Sequence, residues 1–487
     1  MRSIEHRIFE AGMPVAALME KVAGKLSDRI ADLYPRCRVG VLVGSGHNGG
    51  DALVVARELH FRGYEVRVYS PFSRFKELTE AHLQYAKSLG ILYEIEDLRS
   101  CDLILDGLFG FGLTRSLEDP ILSLIHQVNE WQIPIISIDL PSGLHTDTGR
   151  SLGTAIRATH TLCLGLWKLG LLQESALEFV GKAELIDFDI PLTDITAILG
   201  ETPQLQRVTS AWAMSALPLN RPASTHKYKM GHLLLICGSN RYAGGALLTG
   251  LGGRSSGVGM LSIAAPNSLK PMLSSHLPEA LILGCPETAS GAIASLNCDF
   301  SAFDAIACGP GLTLDAADIV QQVLECDRPL VLDADGLNAL AKLGAETLKN
   351  RQAPTILTPH LGEFKRLFPD TNLECRASAV RAAAAATGAI VLLKGARIAI
   401  ADAQGQISIN PESTPALARG GSGDVLTGLL GGLLAQNPTA LLEITQTAAW
   451  WHAQAGILAA QTRSELGVDA HTLTQFLIPA IVAHQKN

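Results

Sequence analysis

Short strand-like runs alternate with helix-like stretches along nearly the whole chain, and this alternation constrains the fold most. In the first half, runs rich in β-branched residues occupy 38–43, 65–70, 102–107 and 134–140. In the second half, similar runs occupy 232–239, 260–266, 304–311, 329–336, 355–360 and 389–395. Such alternation is typical of parallel sheets covered by helices on both faces. The sequence therefore predicts an α/β protein whose ligand sites lie where strands end and helices begin.

The stretch from 190 to 230 interrupts this pattern, because it carries several Pro and Thr residues and no long periodic run. A chain of 487 residues is long enough for two or three domains of roughly 150 residues. We therefore predict a loose connection there and two domains, 1–212 and 213–487. Other local predictions are leading helices within 4–35, a helix at 381–388, an antiparallel hairpin of 397–402 with 406–410, and a helical end from about 423.

Charge and cysteine usage exclude several classes of protein. The formal net charge is -8 and no basic run occurs, which disfavours nucleic acid as a partner. The nine cysteines form no CxxC pair, so we expect reduced thiols and no metal site built on them. The first residues have no signal-peptide pattern, and no apolar run approaches the ~18 residues that span a membrane. We expect a cytoplasmic homo-oligomer that acts on small molecules, without nucleic-acid or membrane partners.

The stretch VLVGSGHNGGDALVVAR, at 41–57, contains a glycine-rich turn with two interpretations. Gly44, Gly46 and Gly49 spell G-x-G-x-x-G, the turn of dinucleotide-binding dehydrogenases. Such enzymes need an acid for the ribose about 20 residues on, at the end of the second strand, and 69–72 (YSPF) contain none. The plainer alternative is a tight turn that needs glycine for positive φ, but it leaves Asn48 and Asp51 unexplained.

Two later strand ends carry related polar residues. The first carries Asp106, and the second carries Asp139 and Ser142. Asn48, Asp106 and Ser142 offer only oxygen ligands, which suit a hard cation such as potassium better than zinc. The alternative is that Asp106 and Asp139 merely cap helices.

The stretch ARGGSGDVLTGLLGG, at 418–432, carries the strongest chemical signal of the second half. Its glycines precede a helix whose free N–H groups would face an anion. Asp424, in the first turn, is well placed to take a proton from a hydroxyl that attacks phosphorus. Alternatively, Ser422 and Asp424 simply cap the helix. Four further strand ends, within 308–312, 332–338, 357–363 and 392–397, are polar or glycine-rich, so the five together indicate a nucleotide and a second ligand.

These five segments, GPGL, LDADGLN, LTPHLGE, LLKG and GGSGD, appear in the order found in ADP-dependent NAD(P)H-hydrate dehydratases of the ribokinase-like superfamily. The resemblance covers roughly 213–487 and implies a three-layer α/β/α domain in which Asp424 is the base, with Mg²⁺ assisting. It implies ADP contacts from Lys394, Gly395, Ala396, Arg397, Ile398 and Gly423. It implies substrate contacts from Gly245, Gly311, His360 and Asp424. Tyr228 stands where the family usually has glycine, and Gly245 where alanine is common.

GHNGGD, DGLFGFGL and DLPSG in the first half resemble the NAD(P)H-hydrate epimerase family over roughly 1–212. This resemblance implies a Rossmann-like three-layer domain with Asp139 as the proton-transfer group and potassium on Asn48, Asp106 and Ser142. It implies substrate contacts from His47, Asn48, Gly49, Gly50, Asp51, Gly110, Phe111, Gly112, Leu113, Thr114, Arg115, Ser116 and Asp139. His47 stands where asparagine is frequent.

Together the halves resemble bifunctional repair enzymes for hydrated NADH and NADPH. The first domain is expected to interconvert the R and S epimers. The second is expected to dehydrate the S epimer with ADP, giving AMP and phosphate. Two other interpretations remain: a small-molecule kinase of the ribokinase type with a non-catalytic partner domain, and an N-terminal domain that only binds its ligand.

Overall fold

The computed structural model describes residues 1–485 and divides the chain into two compact units. The first is Met1–Pro203, and the second starts at Gln204. The segment 204–212, which lies before the predicted boundary, contains a strand that pairs within the second unit. In the described part of the chain, no helix is both long and apolar enough to cross a membrane.

The N-terminal unit is a six-stranded parallel sheet in the order β2-β1-β3-β4-β5-β6. Its strands are β1 Arg38–Val43, β2 Glu65–Tyr69, β3 Leu103–Gly107, β4 Ile135–Ile138, β5 His160–Leu164 and β6 Lys182–Ile186. Its helices are α1 Arg2–Glu10, α2 Val15–Leu33, α3 His47–Phe61, α4 Glu77–Ser88, α5 Ile95–Leu98, α6 Ile121–Glu130, α7 Leu177–Val180 and α8 Leu192–Leu199. The four predicted strands and the leading helices are confirmed, whereas β5 and β6 were not predicted.

Both faces of this sheet are buried, as a three-layer α/β/α arrangement requires. Val41 and Val43 pack into one apolar core with α2 and α3, while Leu42, between them, packs into a second core with α6. Successive side chains of a strand point to opposite faces, so an unbroken apolar run is what a strand covered on both sides needs. Strand β1 lies between β2 and β3, which places a topological switch point, and hence a ligand crevice, at its carboxyl end.

The C-terminal unit contains a ten-stranded sheet in the order β10-β9-β8-β11-β12-β13-β14-β15-β16-β7. Its strands are β7 Leu205–Arg207, β8 His232–Ile236, β9 Met260–Pro266, β10 Leu281–Cys285, β11 Ala305–Cys308, β12 Leu330–Leu332, β13 Thr355–Leu357, β14 Ile390–Leu393, β15 Ile398–Ala401 and β16 Ile407–Asn410. Strand β15 runs antiparallel to β14 and β16, which confirms the predicted hairpin. The other pairs are parallel.

The helices of this unit are α9 Ser210–Ala216, α10 Ala243–Ser255, α11 Lys270–His276, α12 Ala317–Leu324, α13 Asp335–Leu343, α14 Leu361–Leu367, α15 Arg376–Thr387, α16 Ser422–Gln436, α17 Leu441–Arg463 and α18 Ala470–Gln485. Helix α16 is central and almost wholly buried. It packs closely on α10, since a Cβ at Gly428 would lie 1.9 Å from the Thr249 carbonyl oxygen and one at Gly252 would lie 2.2 Å from that of Val425. Gly428 of the segment GLLGG thus has a packing role.

The expectation of a loose connection over 190–230 is wrong for much of that stretch. It holds α8, β7, α9 and a short 3-10 turn at Lys227–Met230. Strand β7 has only three residues and is stabilised by pairing with β16, about 200 positions later. A strand that short has no detectable period, so only its distant partner defines it.

Candidate active sites

A cavity of about 440 Å³ opens at the carboxyl ends of β1, β3 and β4 in the N-terminal unit. Its walls come from the glycine turn after β1, the loop after β3, and side chains of α1 and α2. A volume in this range accommodates a small-molecule ligand. The cavity therefore lies at the switch point that the strand order predicts.

The turn after β1 needs glycine because its backbone packs closely against other backbone, and not because φ is positive. The sequence interpretation that these glycines supply positive φ is therefore wrong. Neither Gly44, Gly46 nor Gly49 has a positive φ. A Cβ at Gly44 would lie 1.8 Å from the Leu108 carbonyl oxygen, and one at Gly49 would lie 1.9 Å from the carbonyl oxygen of Gly44. A Cβ at Gly46 meets nothing within 4 Å. The loops after β1 and β3 thus touch through backbone, which brings their polar residues together.

Asp139 lies on the cavity wall and is buried, with only 3% of its surface exposed. Its backbone has a φ of 71°, in the left-handed region that non-glycine residues seldom adopt. The carboxylate accepts hydrogen bonds from the backbone N–H of Phe111 (3.1 Å) and of Leu164 (3.3 Å), and it forms an ion pair with the Lys168 ammonium. None of these bonds is a helix cap, so the capping interpretation is wrong for Asp139.

Lys168 is one residue of this site that the sequence reasoning missed. It is 5% exposed and also lines the cavity. Burial is the largest effect and opposes its protonation, but Asp139, Cys163 and Glu5 together outweigh burial and raise the pKa of Lys168. The sequence feature that could have identified Lys168 is its position as a single lysine inside the apolar segment LGLWKLGLL. A lysine that is buried by such a segment needs a charged partner.

Two further carboxyl groups face the same cavity, those of Asp51 on α3 and Glu5 on α1. Burial, reinforced by the charge of Asp139, raises the pKa of Asp51 well above its ordinary value. Burial also raises the pKa of Glu5, against the opposing charge of Lys168. The cavity therefore contains an ion-paired carboxylate beside two carboxyl groups whose pKa values are raised by burial.

Asp106, Ser137 and Ser142 form a fully buried polar cluster behind this wall. The Asp106 carboxylate accepts from Ser137 Oγ (2.7 Å), Ser142 N (2.8 Å), Ser142 Oγ (2.5 Å) and Leu108 N (3.3 Å). Burial nevertheless raises the pKa of Asp106. These bonds join the ends of β3 and β4, so Asp106 does not cap a helix either.

The predicted substrate residues are only partly brought together. His47, Asn48, Asp51, Gly110, Phe111, Gly112, Leu113 and Asp139 line the cavity. Gly49 and Gly50 are buried inside α3. Thr114, Arg115 and Ser116 continue the loop beyond the lining residues.

In the C-terminal unit, the ends of β12 and β14 and the start of α16 are joined by one buried carboxylate. Asp333 follows β12, is 1% exposed, and accepts from Lys394 Nζ (2.5 Å) and Thr427 Oγ1 (2.6 Å). Lys394 lies beside the helix start, since a Cβ at Gly423 would be 3.3 Å from its Nζ. The sequence pointed to Asp333 by position, but it gave no sign of Thr427, which lies one turn after Gly423.

Asp424 does not cap α16, because no side chain caps that helix and Gly421 at its N-cap has a φ of 90°. The capping interpretation of Ser422 and Asp424 is therefore wrong. Burial, followed by the charge of Asp333, raises the pKa of Asp424 to about 7, and the nearby Lys394 ammonium lowers it less than these raise it. A carboxyl group that titrates near neutrality suits general-base chemistry.

Of the other predicted residues, Gly245 lies beside Asp424. A Cβ at Gly245 would lie 3.5 Å from Asp424 Oδ2 and 3.7 Å from Gly311, which is ordinary contact distance. The alanine common at position 245 would therefore fit without strain. His360 caps α14 by accepting from Gly362 N, and the carboxylate of Glu363 accepts from His360 N in return. Residues 394–397 form the turn between β14 and β15. Tyr228, which stands where the family usually has glycine, is 66% exposed.

Two family models match the chain, one in each half. A family model described as NAD(P)H-hydrate dehydratase matches residues 233–479, and one described as YjeF-related protein N-terminus matches residues 15–170. The bifunctional NAD(P)H-hydrate repair enzyme of Synechocystis sp. is 54% identical, over 99% of this chain and 93% of that protein. That of Thermosynechococcus vestitus is 52% identical, over 99% and 96% respectively.

The chain belongs to the family of bifunctional NAD(P)H-hydrate repair enzymes. Members of this family combine an epimerase half with an ADP- or ATP-dependent dehydratase half, and the function predicted from sequence is confirmed. The crystal structure of the Bacillus subtilis ADP/ATP-dependent NAD(P)H-hydrate dehydratase, co-crystallised with ATP and Mg²⁺, is 32% identical. It covers 57% of this chain and 98% of its own, with a TM-score of 0.50. The predicted α/β fold class is confirmed as well.

Proposed function

We propose that the N-terminal unit epimerises hydrated NADH and NADPH in its cavity, with Asp139 as the group that moves the proton. The observation that carries this assignment is the fixed carboxylate at the cavity wall, ion-paired with Lys168. Inverting the hydroxyl-bearing carbon requires a bond to break and re-form on the other face, with a proton moving on or off the hydroxyl oxygen. A carboxylate held by two backbone N–H groups supplies such a proton acceptor at a defined position.

The dinucleotide is proposed to contact the segments His47–Asp51 and Gly110–Ser116. The free N–H groups at the start of α3 suit the pyrophosphate. Asp51 faces the same cavity, and burial raises its pKa well above the ordinary value, which favours a proton-donating role for Asp51 beside the ion-paired Asp139. Asp51 would serve as the acid and Asp139 as the base for a proton that leaves and returns.

Potassium is proposed to bind Asn48, Asp106 and Ser142. The donor set fits, because all three side chains offer oxygen, and the carboxylate of Asp106 is buried at a cost that a cation would offset. The side chain of Asn48 makes no hydrogen bond to the described residues, and its amide nitrogen is buried, so its amide oxygen is free to ligate a cation. A bound cation would supply positive charge that fixes the loop after β3 beside Asp139.

The C-terminal unit is proposed to bind ADP through Lys394, Gly395, Ala396, Arg397, Ile398 and Gly423, and the hydrated nicotinamide through Gly245, Gly311, His360 and Asp424. Asp424, with a pKa of about 7, takes the proton of the substrate hydroxyl as that oxygen attacks the β-phosphorus of ADP. AMP leaves, and the phosphorylated hydroxyl then departs as phosphate with loss of a ring proton. The ring double bond returns, so the products are NADH or NADPH, AMP and phosphate.

Mg²⁺ is proposed to enter with the nucleotide. Within residues 1–485, no group of three or more His, Cys, Asp or Glu side chains could hold a metal ion alone. Magnesium commonly binds one or two carboxylates together with substrate phosphates, and Asp333 and Glu363 lie close enough to Asp424 for their charges to raise its pKa. The ion would neutralise charge on the phosphates, whereas Lys394 and the N–H groups of α16 orient them.

One experiment tests the paired reaction. The full chain is mixed with purified R epimer of hydrated NADH, ADP and Mg²⁺, and both reduced-nicotinamide absorbance and released phosphate are followed. Equal amounts of both products are expected, whereas absence of both signals overturns the proposal. Repeating the assay with ATP decides which donor is preferred. The homo-oligomer and the cytoplasmic location stay predictions, to be checked by light scattering and by cell fractionation.

A further inference from the structure

The segment after β2 places a lysine at the rim of the N-terminal cavity. Residues 70–76 connect β2 to α4, and Lys76 lines the cavity beside Ser45, Gly46 and His47. Ser70 Oγ donates to the Val43 carbonyl (2.8 Å), which holds the end of β2 against the end of β1. Lys76 thus belongs to the same edge of the sheet as the glycine turn.

Two hydrogen bonds fix the start of α4 to that turn. Lys76 N donates to the Ser45 carbonyl (3.0 Å), and Thr79 Oγ1 donates to the Gly46 carbonyl (3.0 Å). Because the backbone of Lys76 is anchored, its ammonium stays at the rim of the cavity beside the turn. The position of this charge is therefore a property of the fold.

The Lys76 ammonium is available to a ligand. The side chain is exposed, and among the described residues no carboxylate lies within ion-pair distance of its Nζ. Its charge reaches the turn, since burial first and Lys76 second lower the pKa of His47. The connection from Tyr69 to Lys76 contains no acidic residue, so no side chain there would repel a phosphate.

The position of Asp139 sets the direction of a bound dinucleotide. With the hydrated nicotinamide at Asp139 and the pyrophosphate at the start of α3, the adenosine ribose lies beyond the glycine turn, toward the end of β2. In parallel α/β folds, an acid at that strand end selects an unmodified ribose, and a cationic side chain accommodates a 2′-phosphate. The two substrates differ only by that phosphate.

We propose that Lys76 binds the 2′-phosphate of hydrated NADPH and makes the epimerase half favour that substrate over hydrated NADH. The inference rests on the proposed function of the N-terminal unit and names a specificity-determining residue within it. Lys76 takes no part in the proton transfer, because it acts on the opposite end of the dinucleotide from Asp139.

The test compares both substrates with the full chain in the absence of nucleotide, so that the dehydratase half cannot turn over. Conversion of the pure R epimer is followed by chromatography, after subtraction of the spontaneous rate, for wild type, Lys76→Ala, Lys76→Glu and Lys76→Arg. An exposed charge-assisted contact is worth about tenfold in kcat/KM, so Lys76→Ala should lose about tenfold toward hydrated NADPH and less than about twofold toward hydrated NADH. Lys76→Glu should lose more, and Lys76→Arg should retain the preference.

Lys87→Ala is the matched control, because Lys87 is an exposed lysine in the last turn of the same helix. It should change neither rate. Equal losses on both substrates with Lys76→Ala would place Lys76 at the pyrophosphate, and no loss on either would place it outside the site. Each of these outcomes overturns the specificity proposal alone. Failure of the wild-type chain to epimerise either substrate would instead overturn the proposed function.

Discussion

Replacing Asp424 with asparagine should stabilise the chain at alkaline pH while it removes dehydration. Burial, with the charge of Asp333, raises the pKa of Asp424 from 3.8 to about 7. The pKa of Asp424 is higher in the folded state than in the unfolded state. Its contribution to the free energy of unfolding is therefore fully present when the pH is below the unfolded-state pKa, and it is lost as the pH rises through the folded-state pKa. At about 1.4 kcal/mol per pKa unit, the free energy of unfolding that is lost in this way is about 4 kcal/mol in total. About 3 kcal/mol of it is lost between about pH 5 and about pH 9. Asparagine cannot ionise and escapes this loss.

The assay is urea unfolding of the full chain, followed by tryptophan fluorescence, since Trp450 and Trp451 are buried in the core beside α16. The stability of Asp424→Asn relative to wild type should increase with pH by about 3 kcal/mol over that range. Asp370→Asn, a change at an exposed carboxylate, is the control and should give no such trend. A difference between Asp424→Asn and wild type that does not depend on pH would refute the reasoning. For dehydration, the kcat/KM of the wild type should rise as the pH increases through about 7. The kcat/KM of Asp424→Asn should be at least about a hundredfold lower than that of the wild type.

Three further changes test other parts of the structure. Asp139→Asn should slow epimerisation of the R epimer by at least about a hundredfold and leave dehydration of the S epimer unchanged; loss of both would contradict separate sites. Gly44→Ala should lower the melting temperature, because its Cβ would lie 1.8 Å from the Leu108 carbonyl oxygen, whereas Gly46→Ala should cost only a fraction of that; similar effects would show that close approach is not the reason for glycine. Lys394→Met should raise the KM for ADP by about tenfold or more, measured by phosphate release; an unchanged KM would remove Lys394 from the nucleotide site.

Strand ends were predictable because parallel sheets impose them. Apolar runs bounded by glycine identified β1, β3 and β12, and their carboxyl ends necessarily meet at one edge of a sheet. Strands β5 and β6 were missed, and β6 mixes charged and apolar residues along its exposed face. The role of glycine in the first turn was also misjudged, because a sequence does not show which backbone approaches Gly44.

Partners distant in sequence were not predictable. Lys168 and Thr427 are essential to the geometry of Asp139 and Asp333, yet each is a single residue within an apolar segment. Helix periodicity shows that such a residue faces inward or outward, but it does not show which carboxylate it meets. The packing of one strand end against the next decides that pairing.

The sequence by itself determined the alternation of strands and helices, the oxygen-only donors of the proposed potassium site, and the glycine-led helix starts that suit phosphates. Tertiary structure alone decided the surroundings of the carboxyl groups: Asp139 is ion-paired, burial raises the pKa of Asp51 well above its ordinary value, and burial with the charge of Asp333 raises that of Asp424 to about 7. The physical reason is that pKa values depend on burial and on charges that are near in space. Local sequence fixes which groups can titrate, and the fold fixes the pH at which they do.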